Sequence, residues 1–73
     1  MIEIRVSIDI YVSEMTNWIE LAGGGTVLKT DDNIVYGHNW AIVTEYTETG
    51  PYSHIVKFFN NTELATMFSL RFG

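Results

Sequence analysis

The chain predicts an α+β fold: a small antiparallel sheet of three to four strands, in the order β-α-β-β-(β)-α, with two short helices packed on one face. Three observations carry this expectation. Ile2, Ile4, Val6, Ile8, Ile10 and Val12 alternate without a break with Glu3, Arg5, Ser7, Asp9 and Tyr11, and a period of two gives a strand one aliphatic and one polar face. Two later segments carry apolar residues at helical spacing. Clusters of turn-forming residues separate the remaining β-prone runs.

Taken in order, the alternation predicts a first strand over residues 2–12, buried on one side and central in the sheet. Ser13 then offers a helix cap, with Glu14 in the first turn where the helix dipole favours an acid. Met15, Trp18, Ile19 and Ala22 line one side of the following segment, and Gly23-Gly24-Gly25 supplies residues suited to a helix terminus. A short amphipathic helix over 14–22 is expected.

Thr26 to Lys29 is β-prone, Thr30-Asp31-Asp32-Asn33 is rich in turn formers, and Ile34-Val35-Tyr36 resumes the β pattern. A hairpin accounts for this arrangement. Gly37 is expected to mark a bulge or bend within a longer strand that continues over 39–46. Both faces of that strand, Trp40/Ile42 and Ala41/Val43, are apolar, so its orientation stays open. Thr47-Glu48-Thr49-Gly50-Pro51 is a strong turn signal holding the only proline, and residues 52–59 form the returning strand. Asn60 and Glu63 resemble a capping pair for a helix over 61–71 whose apolar side carries Leu64, Met67 and Phe68. The expected core is Ile4, Val6, Ile8, Trp18, Ile19, Ala22, Leu64 and Phe68.

Seventy-three residues fit one domain, 1–73, near the lower limit for folding without disulfides or metal. There is no cysteine, which excludes disulfides, thiolate zinc sites and cysteine nucleophiles, and makes a reducing cytoplasm the simplest location. Hydrophobic residues make up 47% of the chain, a generous share for so small a body. Some of that surface is available to a partner, including a second copy in a homodimer. No basic segment precedes an apolar run at the amino terminus, and no stretch approaches the length of a membrane span, so neither a secretory signal nor a membrane partner is expected.

The net charge is -5, with nine acids against Arg5, Lys29, Lys57 and Arg71. Four scattered cations cannot supply the counterion-release contribution of phosphate-backbone binding, which argues against direct nucleic-acid binding. An acidic surface suits a basic protein partner instead, or the nucleic-acid groove of another protein.

Catalytic and metal-binding constellations are not formed by the residue spacing. His38 and His54 would need Asp31, Asp32 or Glu45 to complete a metal site, and no paired-ligand spacing joins them. Ser53, His54 and Asp31 include the residue types of a hydrolytic triad, but neighbours on a strand point to opposite faces. The triple glycine follows its helix rather than preceding one, contrary to a phosphate-binding loop. Asn60-Asn61-Thr62 matches a glycosylation acceptor and is read as a helix cap. Trp40, Tyr46, Tyr52, Phe58 and Phe59 crowd the second hairpin, where they serve either cross-strand packing or an interface.

These features lead to the expectation of a noncatalytic protein-binding module with no cofactor and no metal, a small acidic inhibitor or adaptor that masks a functional surface of a larger protein. Asp31, Asp32, Glu45, Tyr46, Glu48 and Tyr52 are its candidate contact residues. By size and charge alone the comparison is with phage-encoded blockers of host enzymes or defence systems, such as anti-CRISPR proteins and nucleic-acid mimics. A structural homo-oligomer is the alternative expectation, and a small histidine-dependent enzyme a third.

Overall fold

A computed structural model describes all 73 residues. It contains β1 (Ile2–Ser7), α1 (Val12–Ile19) extended by a π-helical turn over Glu20–Gly24, β2 (Lys29–Asp31), β3 (Ile34–Gly37), β4 (Trp40–Thr47), β5 (Gly50–Phe58) and α2 (Thr62–Phe72). The strands form one antiparallel sheet in the order β1-β5-β4-β3-β2. The α+β class is as expected, with five strands instead of three or four.

The register places side chains in rows across the sheet. Ile2, Phe58, Trp40 and Gly37 form one row of the covered face, Ile4, Val56, Ile42, Val35 and Thr30 the next, and Val6, His54 and Thr44 the third. Met15 and Ile19 of α1 and Leu64, Ala65 and Phe68 of α2 complete a core with Val6, Trp40, Ile42, Val56 and Phe58. Both helices therefore roof the same face. Phe68 is the hub of the aromatic contacts, tilted against Phe58 at 5.4 Å and met edge-on by Trp18 at 5.6 Å. Each large side chain fully buried here contributes roughly 1.5–3 kcal/mol.

The first strand is shorter than the alternation predicts and lies at the edge of the sheet rather than its centre. The Ser7 carbonyl accepts the Ile10 amide, and the Ser7 hydroxyl accepts the Asp9 amide, so the chain turns at residues 8–10. Val12 then opens α1, two residues before the expected start. Val12, Met15 and Ile19 lie at helical spacing, and Val12 belongs to that stripe as readily as to the alternation. Tyr11, not Ser13, occupies the cap position, with no side-chain cap bond. The glycines end the helical segment as expected, with Gly23 at φ 95°, a conformation that disfavours a side chain.

The central hairpin also departs from expectation. Gly37 is the last residue of β3, and His38-Asn39 is a turn, with Asn39 at φ 66°. A Cβ on Gly37 would stand inside the Trp40 indole, so the glycine makes room for that ring. Trp40 is 1% exposed, and its Nε1 donates to the Gly24 carbonyl at 3.0 Å. The orientation of β4 is thereby fixed: Trp40, Ile42 and Thr44 face the helices, and Ala41, Val43 and Glu45 face away. At the start of α2 the cap is Asn61 rather than Asn60, its side chain accepting the Leu64 amide at 3.0 Å. In the expected core, Val6, Ile19, Leu64 and Phe68 are buried, while Ile4, Ile8, Trp18 and Ala22 are half-buried. Ile4 remains partly open because β1 has no neighbour on its outer side.

Candidate functional site

The connectivity brings two of the three hairpin turns of the sheet to the same end. Asp32 and Asn33 join β2 to β3, Glu48 and Thr49 join β4 to β5, and β1 finishes there at Ser7 opposite Ser53. Asn33 locks the shorter hairpin to the longer one: its carbonyl accepts the Thr44 amide at 2.8 Å, and its Nδ2 donates to the Thr44 carbonyl at 2.7 Å. Asp9, Asp31, Asp32, Glu45 and Glu48, five of the nine acids, consequently gather at this end.

Arg5 reaches one of them, Glu45. Its Nη1 lies 2.5 Å from Glu45 Oε1 and donates to Ser53 Oγ at 2.7 Å, while the Ser53 hydroxyl donates to Glu45 Oε1 at 2.8 Å. The Ser53 hydroxyl and the Arg5 guanidinium together hold the Glu45 carboxyl below its ordinary range, and Glu45 raises the Arg5 guanidinium above its own. The Tyr52 phenol adds to both effects, raising Arg5 and lowering Glu45. Tyr52 is the extra residue of a β-bulge, since Glu45 pairs with Ser53 and Tyr46 with Pro51. Lys57 and Lys29 lie in the row of Ala41; Lys29 precedes Asp31 by two residues on the same face of β2, and Lys57 pairs with Glu3 at 3.7 Å.

All six sequence-predicted contact residues lie at this end, in two states. Glu45 is engaged by Arg5, with 28% of its side chain exposed. Asp31, Asp32 and Glu48 are exposed, as are Tyr46 and Tyr52, at 60% and 48%. The crowded aromatics divide accordingly: Trp40 and Phe58 are core residues, Tyr46 and Tyr52 belong to the acidic end, and Phe59 is exposed at the other end. Arg5, Ser53 and Asp9 were not anticipated as parts of this region. Arg5 and Glu45 are 40 residues apart, and no local pattern links them.

The face away from the helices is less polar than β1 alone implies. Ile55, Val43 and Ile34 form a half-buried aliphatic row across it, between Arg5 and Asp31. Ala41, in the neighbouring row, is 3% exposed between Tyr36 and Lys57.

His54 is committed to structure. It is 4% exposed, Nε2 lies 2.9 Å from the Ile10 carbonyl and Nδ1 lies 2.9 Å from the Thr44 hydroxyl. A carbonyl only accepts, so Nε2 carries the hydrogen, and in the neutral ring Nδ1 accepts from Thr44. Both ring nitrogens are used, and neither is left for a metal or a substrate. Ser53 is on the opposite face, occupied by Arg5 and Glu45, and His38 sits in the β3–β4 turn. No three His, Asp or Glu side chains are grouped to hold a metal ion. No helix is long and apolar enough to cross a membrane. No protein family, curated protein or solved structure matches this chain.

Proposed function

We propose that this chain is a noncatalytic protein-binding module, an acidic inhibitor or adaptor acting in the cytoplasm, that docks its acidic end on a basic surface of a larger protein. The observation that carries the reading is the convergence of Asp31, Asp32 and Glu48 with exposed Tyr46 and Tyr52 at one end of the sheet, where Arg5 is already paired with Glu45. Tyrosines supply rigid contact area and a hydroxyl, while the acids steer the approach to a basic groove and set its orientation. The hairpins that present them are tied by the Asn33–Thr44 bonds, so little ordering is required on docking. A nucleic-acid mimic is the subtype in which these acids occupy phosphate positions on the partner.

The experiment is capture from lysate with three tagged proteins: wild type, an acidic-end variant with Asp31→Lys, Asp32→Lys and Glu48→Lys, and a control with Glu20→Lys and Glu63→Lys. The reading expects a partner held by wild type and the control, lost by the acidic-end variant, and released progressively by salt. Competition by duplex nucleic acid identifies the mimic subtype. A partner retained equally by all three proteins, or none captured by any of them, refutes the reading.

A further inference from the structure

The outer edge of β1 is less protected than the opposite edge of the sheet. Natural edge strands are blunted by shortness, by charged side chains, lysine above all, by proline or by bulges, and β1 has only Glu3 and Arg5, which are opposite in sign. β2 has two of these devices, being three residues long with Lys29 exposed on it, and it carries no aliphatic side chain. β1 is six residues long, pairs with β5 without a bulge, contains neither lysine nor proline, and leaves Ile2 and Ile4 half-buried. Beneath it a groove of about 360 Å³ runs between Ile2, Glu3 and Ile4 of the strand and Ala65, Ser69 and Leu70 of α2. Leu70 is 85% exposed on its rim.

The sequence of this edge is complementary to itself. Antiparallel pairing with a second copy about a two-fold axis at Ile4 sets Ile4 against Ile4, Ile2 against Val6, and Glu3 against Arg5 in both directions. Residues directly opposite share a face, so the aliphatic face continues across the junction and the outer face gains two opposite-charge pairs. Moving the axis one residue toward the amino terminus opposes Glu3 to Glu3, and moving it one residue the other way opposes Arg5 to Arg5. Each alternative costs a like-charge contact. In the favoured register Lys57, Glu3 and the other copy's Arg5 alternate in sign, extending the existing Lys57–Glu3 pair.

We infer that β1 is a homodimerisation edge: two copies join antiparallel about Ile4 into one ten-stranded sheet, with Leu70 of each packed toward the groove of the other. The axis is perpendicular to the sheet, so both helix layers lie on the same side and Ile2 and Ile4 become fully covered. The acidic turns are left free by this contact; Arg5 is shared, holding Glu45 and Ser53 through Nη1 while it stands opposite Glu3 of the other copy.

Sedimentation equilibrium over a concentration series tests it, with circular dichroism confirming that each variant folds. Wild type is expected to show a monomer–dimer equilibrium. Glu3→Arg reverses two pairs per dimer and is expected to weaken association by about tenfold, and Leu70→Glu, at a position exposed in the monomer, to weaken it comparably. Arg5→Glu alone is also expected to self-associate poorly. Mixing folded Glu3→Arg with folded Arg5→Glu restores both opposite-charge pairs and is expected to yield a heterodimer tighter than either homodimer. Wild type monomeric up to millimolar concentration overturns the inference. So does a dimer indifferent to both Glu3→Arg and Leu70→Glu, or a mixture of folded variants that gives no heterodimer.

Discussion

Replacing Gly37 by alanine tests the packing that orients β4, and with it the arrangement of the acidic end. In an open strand Gly→Ala is stabilising by about 0.4–1 kcal/mol, because it restricts the unfolded chain. Gly37 is an extended residue with no positive φ, so its backbone would accept the methyl group. The added Cβ, however, falls within the Trp40 indole, which is 1% exposed and cannot swing into solvent without opening the core. Overpacking of this kind costs roughly 1–3 kcal/mol. Displacing the indole also strains its bond to the Gly24 carbonyl, a loss of about 1 kcal/mol. The clash outweighs the entropic gain, and the expected net destabilisation is about 1–3.5 kcal/mol. For a domain of this size that lowers the melting temperature by roughly 5–25 °C. Urea denaturation of wild type, Gly37→Ala, Trp40→Leu and the double variant gives the coupling energy directly, because leucine has no ring atoms to meet the new methyl. Gly37→Ala is expected to cost under about 1 kcal/mol in the Trp40→Leu background. A Gly37→Ala protein as stable as wild type, or a cost unchanged by Trp40→Leu, would show that this contact does not set the hairpin.

Two further outcomes are expected. Thr44→Val removes the hydroxyl that donates to His54 Nδ1 and strands a buried acceptor, costing about 1–3 kcal/mol in urea denaturation, whereas Thr44→Ser recovers most of that stability; a valine variant as stable as wild type would refute the assigned donor. Because Glu45 is held below its ordinary range in the folded state, its contribution is present above the unfolded-state value of about 4.3 and is lost as pH falls through the lower folded-state value. The unfolded chain binds more protons in that window, so stability rises with pH there; Glu45→Gln is expected to flatten this part of a urea-midpoint profile, and an unchanged slope would remove the Arg5–Ser53–Glu45 network as its source.

The class of the fold was legible because periodicity reports which side of each element is buried. The order of strands was not. The longest alternation in the chain suggested a central strand, yet consecutive hairpins make β3, β4 and β5 neighbours, and β1 joins at the free side of β5. Its boundary was misplaced because Ile8, Ile10 and Val12 satisfy a period of two while Val12, Met15 and Ile19 satisfy a helical one; Ser7, which bonds its own backbone neighbourhood, decides between them. The facing of β4 was ambiguous because both sides are apolar, and Gly37, read as a bend, was in fact the space reserved for Trp40. Within the acidic end the residue types were legible and their convergence was not, since it follows from the Asn33–Thr44 tie and from an ion pair spanning 40 residues.

The charge polarity of the molecule exceeds what its turns require. Asp32 has a backbone reason to be there: φ is 38°, a region in which aspartate, asparagine and glycine are favoured. Asp31 lies in β2 with regular pairing to Ile34, and Glu48 is not among the residues with positive φ, so neither is demanded by local geometry. Their acidity is a surplus that adds self-repulsion at one end, a cost that a basic partner would relieve. Joining two copies at β1 sets these ends at opposite poles of a shared sheet, because the paired strands run antiparallel. The aliphatic edge and the acidic turns therefore make separate demands on the sequence, burial at Ile2 and Ile4 and charge at Asp31 and Glu48, and neither contact obstructs the other.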